Sequence, residues 1–290
     1  VACSEGDNWT NQKNGVARIY LRAGSNYYLC SGSLVNNTNS DCTPYFLTAD
    51  HCGYESSTAD LNYWIFYFNY EATTCAGTSP QFTSHTVTGC TFVASDNFGS
   101  TNSGSDFYLV KLKYNVPASY NPYYNGWSRS TSVSPSGVGI HHPNGDIKKI
   151  STYQNTLSSA YSTHWSVNWV ATANGHGVTE GGSSGSPLFN NSGKIIGTLT
   201  SGASDCNHTN LEDYYGKFSY HWASNGSTSD KQLKPWLDPN NSNPTEINGR
   251  GACNTDLNTY NISQTNINLY PNPATDYINI ILEDSDINSF

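Results

Sequence analysis

Short apolar segments separated by turn-forming residues recur along this chain up to about residue 225. Examples lie at residues 16–21, 63–68, 107–112, 148–152, 164–170 and 194–199. The polarity between them comes mainly from Ser, Thr, Asn and Gly, because only 12% of the residues are charged. Segments this short fit strands better than helices, and turn residues at this spacing are typical of β-sheet proteins. The pattern therefore predicts an all-β barrel or sandwich.

The overall composition narrows the possible partners. The 21 Tyr, 7 Trp and 10 Phe among 290 residues can fill a core largely with aromatic rings. A net charge of −9 argues against nucleic acid or an anionic membrane as a partner. The apolar run at 63–68 fits a buried strand and is far too short to cross a membrane. We therefore expect a protein without nucleic-acid or membrane partners.

Eight cysteines, an even number, indicate an oxidising compartment and up to four disulfides, with 105 possible pairings. Free thiols or metal ligands are the alternatives. The sequence contains no Cys-x-x-Cys and no His-Glu-x-x-His, so we expect no metal and no cofactor. The pair His141 and His142 would face opposite sides of a strand, which favours a structural role.

Residues 181–187, Gly-Gly-Ser-Ser-Gly-Ser-Pro, predict a tight glycine turn around Ser184. Glycines allow the backbone N–H groups of Gly182 and Ser184 to point at one spot, as an oxyanion requires. A serine there becomes a nucleophile only if a base takes its proton. Alone, such a Ser/Gly cluster is more often an ordinary loop.

A candidate base and a candidate carboxylate lie upstream of this turn. His51 follows the apolar run 46–49, and Asp106 precedes the apolar run 107–112. A rigidly held histidine suits general base catalysis, and a carboxylate can fix its tautomer. Each could instead be structural, His51 as a core histidine and Asp106 as a strand cap. Three such residues in the order His, Asp, Ser are hard to explain by packing.

At this point the chain resembles the trypsin-like serine peptidases, through residues 47–52 (Leu-Thr-Ala-Asp-His-Cys) and 182–187 (Gly-Ser-Ser-Gly-Ser-Pro). The resemblance implies that Ser184 attacks, His51 transfers the proton and Asp106 orients His51. Four further segments resemble the bacterial lysyl endopeptidases, and this likeness runs to about residue 248. The segments are 30–38, 140–144, 177–180 and 236–239.

The resemblance also implies an architecture of two six-stranded antiparallel β-barrels with the active site between them. The first barrel would comprise residues 1–115, and the second, with a short C-terminal helix, residues 116–250. The best helix candidate is 228–237, capped by Ser229 or Asp230.

Specificity for a basic side chain requires an acid in the substrate pocket. Trypsin's acid lies six positions before the serine, where this chain has the uncharged Val178. The lysyl endopeptidase resemblance instead implies Asp213 as the pocket acid, with Glu212 beside it as the alternative. It also implies that the strand containing Thr200, Ser201 and Gly202 pairs with the substrate. Trp169 matches a tryptophan that stacks on a histidine in those relatives, but the histidine's position is Thr200, so a core role is equally consistent.

The resemblance implies two disulfides, Cys30 with Cys52 and Cys3 with Cys75. Cys42 and Cys90 have no counterpart in the relatives, so we pair them with each other. Cys206 and Cys253 remain as the last pair, although the cysteine that matches Cys206 pairs upstream of residue 1 in the relatives.

The chain changes character after residue 249. Residues 255–265 are polar and predict a linker. Residues 268–280 resemble the opening of the C-terminal sorting domain used for type IX secretion in Bacteroidetes. We therefore assign 251–290 to a linker and a partial sorting tail, and expect the tail to be loosely docked. The first residues are neither basic nor apolar, which indicates a mature secreted chain.

The sequence thus predicts a secreted, monomeric lysyl endopeptidase acting on proteins or peptides that contain lysine. One alternative is a peptidase of other specificity, for Arg as well as Lys or for Glu. The other is a catalytically inactive secreted binding module.

Overall fold

The computed structural model describes residues 1–253, 267–270 and 279–282. The chain divides into two compact units, Val1–Ala252 and Cys253–Phe290. Strands dominate the first unit, so the all-β prediction is confirmed, and each of the six apolar segments contains strand residues.

The first sheet is wholly antiparallel, with the strand order β5-β4-β1-β2-β3-β7-β6. Its strands are β1 (Val16–Ala23), β2 (Asn26–Leu34), β3 (Tyr45–Thr48), β4 (Ile65–Phe68), β5 (Thr86–Thr88), β6 (Cys90–Ser95) and β7 (Tyr108–Leu112). The long hairpin of β1 and β2 pairs Val16 with Ser33 and Ala23 with Asn26. Position-by-position alternation of burial along β4 shows why this apolar run forms a half-buried strand.

The second sheet has nine strands. They are β9 (Trp127–Ser128), β10 (Gly137–His141), β11 (Lys149–Tyr153), β12 (Ser158–Ala160), β13 (His164–Val167), β16 (Pro187–Asn190), β17 (Ile195–Gly202), β18 (Asp213–Lys217) and β19 (Glu246–Ile247). Its main path is β11-β10-β16-β17-β18-β13-β12, and β9 joins β17 to β19. The seven and nine strands exceed the six expected in each barrel.

Three small sheets complete the strands. They pair β8 (Tyr123–Tyr124) with β20 (Arg250–Gly251), β14 (Ala171–Thr172) with β15 (Gly175–His176), and β21 (Ile267–Tyr270) with β22 (Asn279–Leu282). The last pair belongs to the second unit. The predicted linker 255–265 and most of the predicted sorting segment lie outside the described residues.

Helices are short throughout. The α-helices are α1 (Thr10–Gly15), α2 (Asp50–Gly53), α3 (Phe98–Thr101), α4 (Phe218–Ala223) and α5 (Lys234–Leu237). The 3₁₀ turns are Ser4–Trp9, Asp60–Tyr63, Ala118–Tyr120, Pro143–Gly145 and Ser229–Lys231. No helix in the described residues is long and apolar enough to span a membrane.

The predicted helix at 228–237 is wrong as a single element. The structure has a 3₁₀ turn at Ser229–Lys231 and a separate one-turn α5. Pro235 lies in the first turn of α5, the position where its missing N–H costs nothing, so the helix cannot extend back through it. Neither Ser229 nor Asp230 caps the 3₁₀ turn, because the N-cap residue is Thr228. The side chain of Thr228 makes no capping hydrogen bond.

A single cluster of buried side chains takes members from both sheets. It includes Leu47 and Leu109 from the first sheet and Ile140 from the second. Trp127 lies within it, with its ring 5.3 Å from that of Phe218. Aromatic rings thus fill much of the core, and the shared cluster fixes the first sheet against the second.

The disulfides Cys3–Cys75 and Cys30–Cys52 are present. The expected pairing of Cys42 with Cys90 is wrong, because Cys90 is a buried free thiol whose sulfur contacts the carbonyl of Leu61. The expected pairing of Cys206 with Cys253 is also wrong, because Cys206 is an exposed free thiol. Cys42 and Cys253 are each disulfide-bonded.

Candidate active site

His51 lies on α2, immediately after β3 ends at Thr48. The Cys30–Cys52 disulfide ties this turn to β2. The backbone N–H of His51 donates to Oδ1 of Asp106 at 2.9 Å, and its Nδ1–H donates to Oδ2 at 2.7 Å. This two-point contact fixes both the position and the tautomer of the ring, so Nε2 is left unprotonated and available as a base.

The electrostatics of this pair favour a protonated ring. Burial of the His51 ring lowers its pKa, but the hydrogen bond and the charge of Asp106 outweigh burial, so the pKa of His51 is raised above its usual value. The charge of Asp50 adds to this effect. The side chain of Asp106 has no exposed surface, whereas that of His51 is 29% exposed. The ring therefore lies between a buried carboxylate and the protein surface.

Asp106 is held in an uncommon backbone conformation. Its φ is +62°, a left-handed value that few residues other than glycine adopt. The buried carboxylate of Asp96 accepts the backbone N–H of Asp106 and, at 2.5 Å, that of Ser105. Burial, together with the charge of Asp106, raises the pKa of Asp96 to about 7. Asp96 thus orients Asp106 toward His51, a role that the sequence did not reveal.

The serine turn packs against the residues that precede His51. A Cβ placed on Gly185 would lie 2.1 Å from Oγ1 of Thr48 and 2.6 Å from the backbone N of Ala49. With φ at +77°, this position requires glycine for two independent reasons. The carbonyl of Ser184 accepts the N–H of Ser31 at 2.8 Å. The fold therefore places the Ser184 turn beside the end of β3.

The neighbouring Ser183 is buried and fully engaged in hydrogen bonds. Ser151 donates its hydroxyl to the carbonyl of Val178, so it accepts from Nε2–H of His141. Nδ1 of His141 is then an acceptor, and the Ser183 hydroxyl donates to it at 2.8 Å. Burial lowers the pKa of His141 to about 3, which keeps the ring neutral. Of these two serines, the half-buried Ser184 is therefore the candidate nucleophile.

The two predicted oxyanion donors, the N–H groups of Gly182 and Ser184, belong to peptides whose carbonyl oxygens each accept a backbone hydrogen bond. The carbonyl of Gly181 accepts the N–H of Asn144 at 2.6 Å, and that of Ser183 accepts the N–H of Ser186 at 3.0 Å. In a trans peptide the N–H points away from the C=O. The N–H groups of Gly182 and Ser184 therefore point away from these partners.

Asp213 begins β18 and its side chain is fully buried. Its Oδ2 accepts Nε1–H of Trp169 at 2.6 Å, the hydroxyl of Thr179 at 2.8 Å and that of Ser204 at 2.7 Å. Its Oδ1 accepts the N–H of Ser204 at 3.1 Å. A Cβ on Gly202 would lie 2.0 Å from Oδ1, so only glycine leaves room for the carboxylate.

These partners of Asp213 are neutral. The ion pairs among the described residues do not include this carboxylate. Glu212, by contrast, is half-buried and accepts the hydroxyl of Tyr214 and the amide of Asn168. Of the two candidate acids, Asp213 is the one enclosed by the fold.

The position of the relatives' stacking histidine is Thr200 in this chain, and Trp169 instead contacts Asp213 and Tyr215. Trp169 is buried and donates to Asp213, and its ring meets Tyr215 edge-on at 6.1 Å. The hydroxyl of Thr200 lies 3.0 Å from Nε2 of His164. Burial lowers the pKa of His164. Trp169 therefore supports the candidate pocket acid, and His164 takes the place beside Thr200.

The candidate substrate strand is open on one side. Registered pairing of β17 with β16 ends at Thr198, whereas Ser201 and Gly202 still pair with Tyr214 and Asp213 of β18. A peptide can add to a sheet edge through main-chain hydrogen bonds. Ser201 and Gly202 are exposed after a register shift at Thr200, and residues 200–202 remain the candidate segment for pairing with an extended substrate.

Sequence reasoning missed several supporting residues, including Asp96, Thr179 and Ser204. Thr179 lies in the 177–180 segment that had been singled out, so its motif was a usable signal. The others contact the site only through the folded chain. Within the described part of the chain, no three His, Cys, Asp or Glu side chains are grouped to hold a metal ion.

Solved structures of low sequence identity share this fold, which is that of the chymotrypsin-like serine proteases. A thermostable serine protease from an extremophilic microorganism matches with a TM-score of 0.51 at 13% identity, over 71% of this chain and 92% of that one. The protease Anisep from Arthrobacter nicotinovorans matches with a TM-score of 0.50 at 18% identity, over 70% and 90%.

Sequence comparison identifies the family more closely. Residues 1–216 match the family described as lysyl endopeptidase, C-terminal domain, and the chain belongs to that family. A lysyl endopeptidase of Pseudomonas aeruginosa is 34% identical over 205 residues, which is 66% of this chain. The match spans only 41% of that relative's length.

Proposed function

We propose that this protein is a secreted serine endopeptidase that hydrolyses peptide bonds on the carboxyl side of lysine. The observation that carries the proposal is the two-point contact between His51 and Asp106, with the Ser184 turn packed against the end of β3. Family membership supports the same activity. The substrates would be proteins or peptides that contain lysine, and the protein would act as a monomer.

In the first step Ser184 Oγ attacks the carbonyl carbon of the scissile bond while Nε2 of His51 takes its proton. The imidazolium that forms is stabilised by the buried carboxylate of Asp106. The carbonyl oxygen becomes an oxyanion, for which the N–H groups of Gly182 and Ser184 are the donors. His51 then gives its proton to the leaving amine, and the acyl-enzyme remains.

Water completes the reaction through the same groups. Nε2 of His51, now neutral again, takes a proton from water as the water oxygen attacks the ester of Ser184. The second tetrahedral intermediate collapses when His51 returns that proton to Ser184 Oγ. The new carboxylic acid leaves, and the enzyme is restored.

The preference for lysine rests on Asp213. A carboxylate buried among four neutral hydrogen-bond donors lacks a counter-charge, and the ammonium group of a lysine substrate would supply one. Thr179 links this acid to residues 177–180, the segment just before the serine turn. Because Val178 is uncharged, trypsin's own solution is absent from this chain.

Secretion is proposed from the disulfides and the C-terminal segment. The disulfides Cys3–Cys75 and Cys30–Cys52 fit an oxidising compartment. The resemblance of residues 268–280 to a type IX sorting domain supports export by that route in a Bacteroidetes host. Deleting 254–290 should block export in such a host and leave intracellular peptidase.

Covalent labelling tests whether the chain is an enzyme. A fluorophosphonate should react once per molecule, at Ser184, and the label should be found on the peptide that contains residues 181–187. Ser184→Ala should remove labelling, whereas Ser183→Ala should leave Ser184 labelled. A parent protein that folds but does not label would be a binding module rather than a peptidase.

Specificity is tested by digesting a mixed peptide library with the full chain and reading the residue before each cut. Cuts after lysine are expected. Cuts after glutamate would overturn the lysine proposal and direct attention to His164, the histidine next to Thr200.

A further inference from the structure

We infer that Asn144, together with Glu180, is a positioning residue that sets the direction of the Gly182 N–H in the oxyanion hole. The inference rests on the proposed function, since it concerns how that catalytic site is kept in working geometry. It assigns a role to a loop, residues 142–146, that contributes no triad residue.

The peptide between Gly181 and Gly182 has little preference of its own. Both flanking residues are glycines, so no Cβ opposes rotation of the peptide plane about its two adjoining bonds. A plane rotated by half a turn would present a carbonyl oxygen, rather than an N–H, to the oxyanion. The direction of this peptide must therefore be set by a contact from outside the turn.

The backbone of Asn144 makes that contact. Its N–H donates to the carbonyl of Gly181 at 2.6 Å. Because the peptide is trans, this bond directs the N–H of Gly182 to the opposite side. Gly182, at φ +87°, also packs against the loop, since a Cβ there would lie 2.9 Å from the backbone N of Gly145.

The conformation of Asn144 explains why asparagine occupies this position. Its φ of +52° and ψ of +20° are left-handed, and asparagine tolerates this region better than most residues. Its side chain then reaches back to the turn, where Nδ2 donates to Oε2 of Glu180 at 2.6 Å. Asn144 therefore holds two consecutive residues, Glu180 by its side chain and Gly181 by its backbone.

The loop that carries Asn144 is itself anchored to the first sheet. Arg18 of β1 donates from Nη1 to the carbonyl of Gly145 at 2.9 Å. The hydroxyl of Ser31 accepts the N–H of His142 and donates to the carbonyl of Gly182, each at 2.9 Å. The anchored loop 142–146 thus couples the position of the first sheet to the peptide between Gly181 and Gly182.

Two substitutions remove the side-chain contact between Asn144 and Glu180 while leaving the backbone N–H of residue 144 in place. Asn144→Gly keeps the left-handed backbone and its N–H but removes the amide, and Glu180→Ala removes the acceptor. Glu180→Gln keeps an acceptor oxygen and serves as the conservative rescue. Asn121→Gly is the matched control, because Asn121 is exposed, has the same φ of +52° and lies outside the site.

The measurements are kcat and KM on a lysyl p-nitroanilide, and inhibition by two probes. A peptidyl lysine aldehyde forms a hemiacetal that needs the oxyanion donors, whereas n-butylamine needs only the pocket. Loss of one oxyanion donor typically costs about 10²–10³ in kcat, so a donor that is misdirected part of the time should cost about ten-fold.

We expect Asn144→Gly and Glu180→Ala each to lower kcat and aldehyde affinity about ten-fold, with KM and butylamine inhibition unchanged within about two-fold. The double variant should be no worse than either single one, because the two residues act through one contact. Glu180→Gln and Asn121→Gly should match the parent.

Two results would overturn the inference while leaving the proposed function intact. One is an unchanged kcat in both Asn144→Gly and Glu180→Ala. The other is a loss of butylamine binding that equals the loss of kcat, which would indicate a distorted pocket. A parent chain that neither labels at Ser184 nor cleaves any substrate would overturn the proposed function itself.

Discussion

The proposed role of Asp213 in substrate choice can be tested by removing its charge. Asp213→Asn removes that charge but keeps the size of the side chain. Its amide oxygen can still accept from Trp169, Thr179 and the Ser204 hydroxyl, all of which converge on Oδ2. The amide nitrogen then faces the N–H of Ser204, so one unfavourable donor–donor contact is introduced. We expect the variant to fold with a loss of about 1–3 kcal/mol.

The effect on lysine substrates follows from the lost ion pair. At about 4 Å and an effective dielectric constant of about 20, two unit charges interact by about 4 kcal/mol. At about 1.4 kcal/mol per factor of ten, this corresponds to a loss of up to about 10³ in kcat/KM. Salt and water at the mouth of the pocket screen part of this attraction, so the expected loss lies between about 10² and 10³.

The assay compares kcat/KM for matched p-nitroanilides with lysine or norleucine before the scissile bond. Norleucine has nearly the shape of lysine without its ammonium, so Asp213→Asn should change its rate by less than about three-fold. Glu212→Gln, at the adjacent half-buried acid, should leave both rates near those of the parent. The reasoning is refuted if Asp213→Asn keeps its preference for lysine over norleucine, or if Glu212→Gln loses it.

Three further predictions concern the base, the core and the staples. Because the pKa of His51 is raised, kcat/KM should fall as pH drops through a value above 6.5. A kcat/KM that stays unchanged down to pH 4 would contradict this. His141 is neutral in the fold with a pKa of about 3. Its contribution to the free energy of unfolding should therefore be fully present above about pH 6.5 and be lost towards pH 3, by up to about 5 kcal/mol. Urea unfolding at pH 7 and pH 4 measures the difference, which should shrink in His141→Gln. Replacing Cys30 and Cys52 by alanine opens a 22-residue loop and should cost about 3 kcal/mol in the same assay. An unchanged unfolding midpoint would show that this bridge does not stabilise the fold.

The strands were predictable because their signal is local. Each apolar run between turn residues forms a strand whatever lies elsewhere in the chain. The helix at 228–237 was not, because one local rule competed with another. The apolar and capping pattern favours a helix across the segment, but Pro235 restricts where a helical turn can begin.

The cysteines show a different limit. An even count suggested that all eight would pair, yet Cys90 and Cys206 are free thiols. Pairing depends on which Cβ atoms meet after folding, and spacing along the sequence does not contain that distance. Cys90 lies at the start of β6 with its sulfur against the carbonyl of Leu61.

The candidate site divides in the same way. His51, Asp106 and Ser184 each sit in a motif that could be recognised within a few residues. The residues that support them come from distant parts of the sequence. His141 and Ser183 are 42 residues apart, and Ser31 and Gly182 are 151 residues apart. The sequence could therefore name the candidate reacting groups but not the residues that position them.

One physical rule connects these supports. Ser183 is held by a neutral histidine and Asp213 by neutral donors, whereas the buried Lys148 is paired with Glu71. A fixed cation beside Asp213 would satisfy the carboxylate permanently and would have to be displaced by substrate. Neutral donors lower the cost of burying the charge without neutralising it. The ammonium of a bound lysine would then complete the pocket, so the energy of that ion pair is gained only when the correct substrate binds.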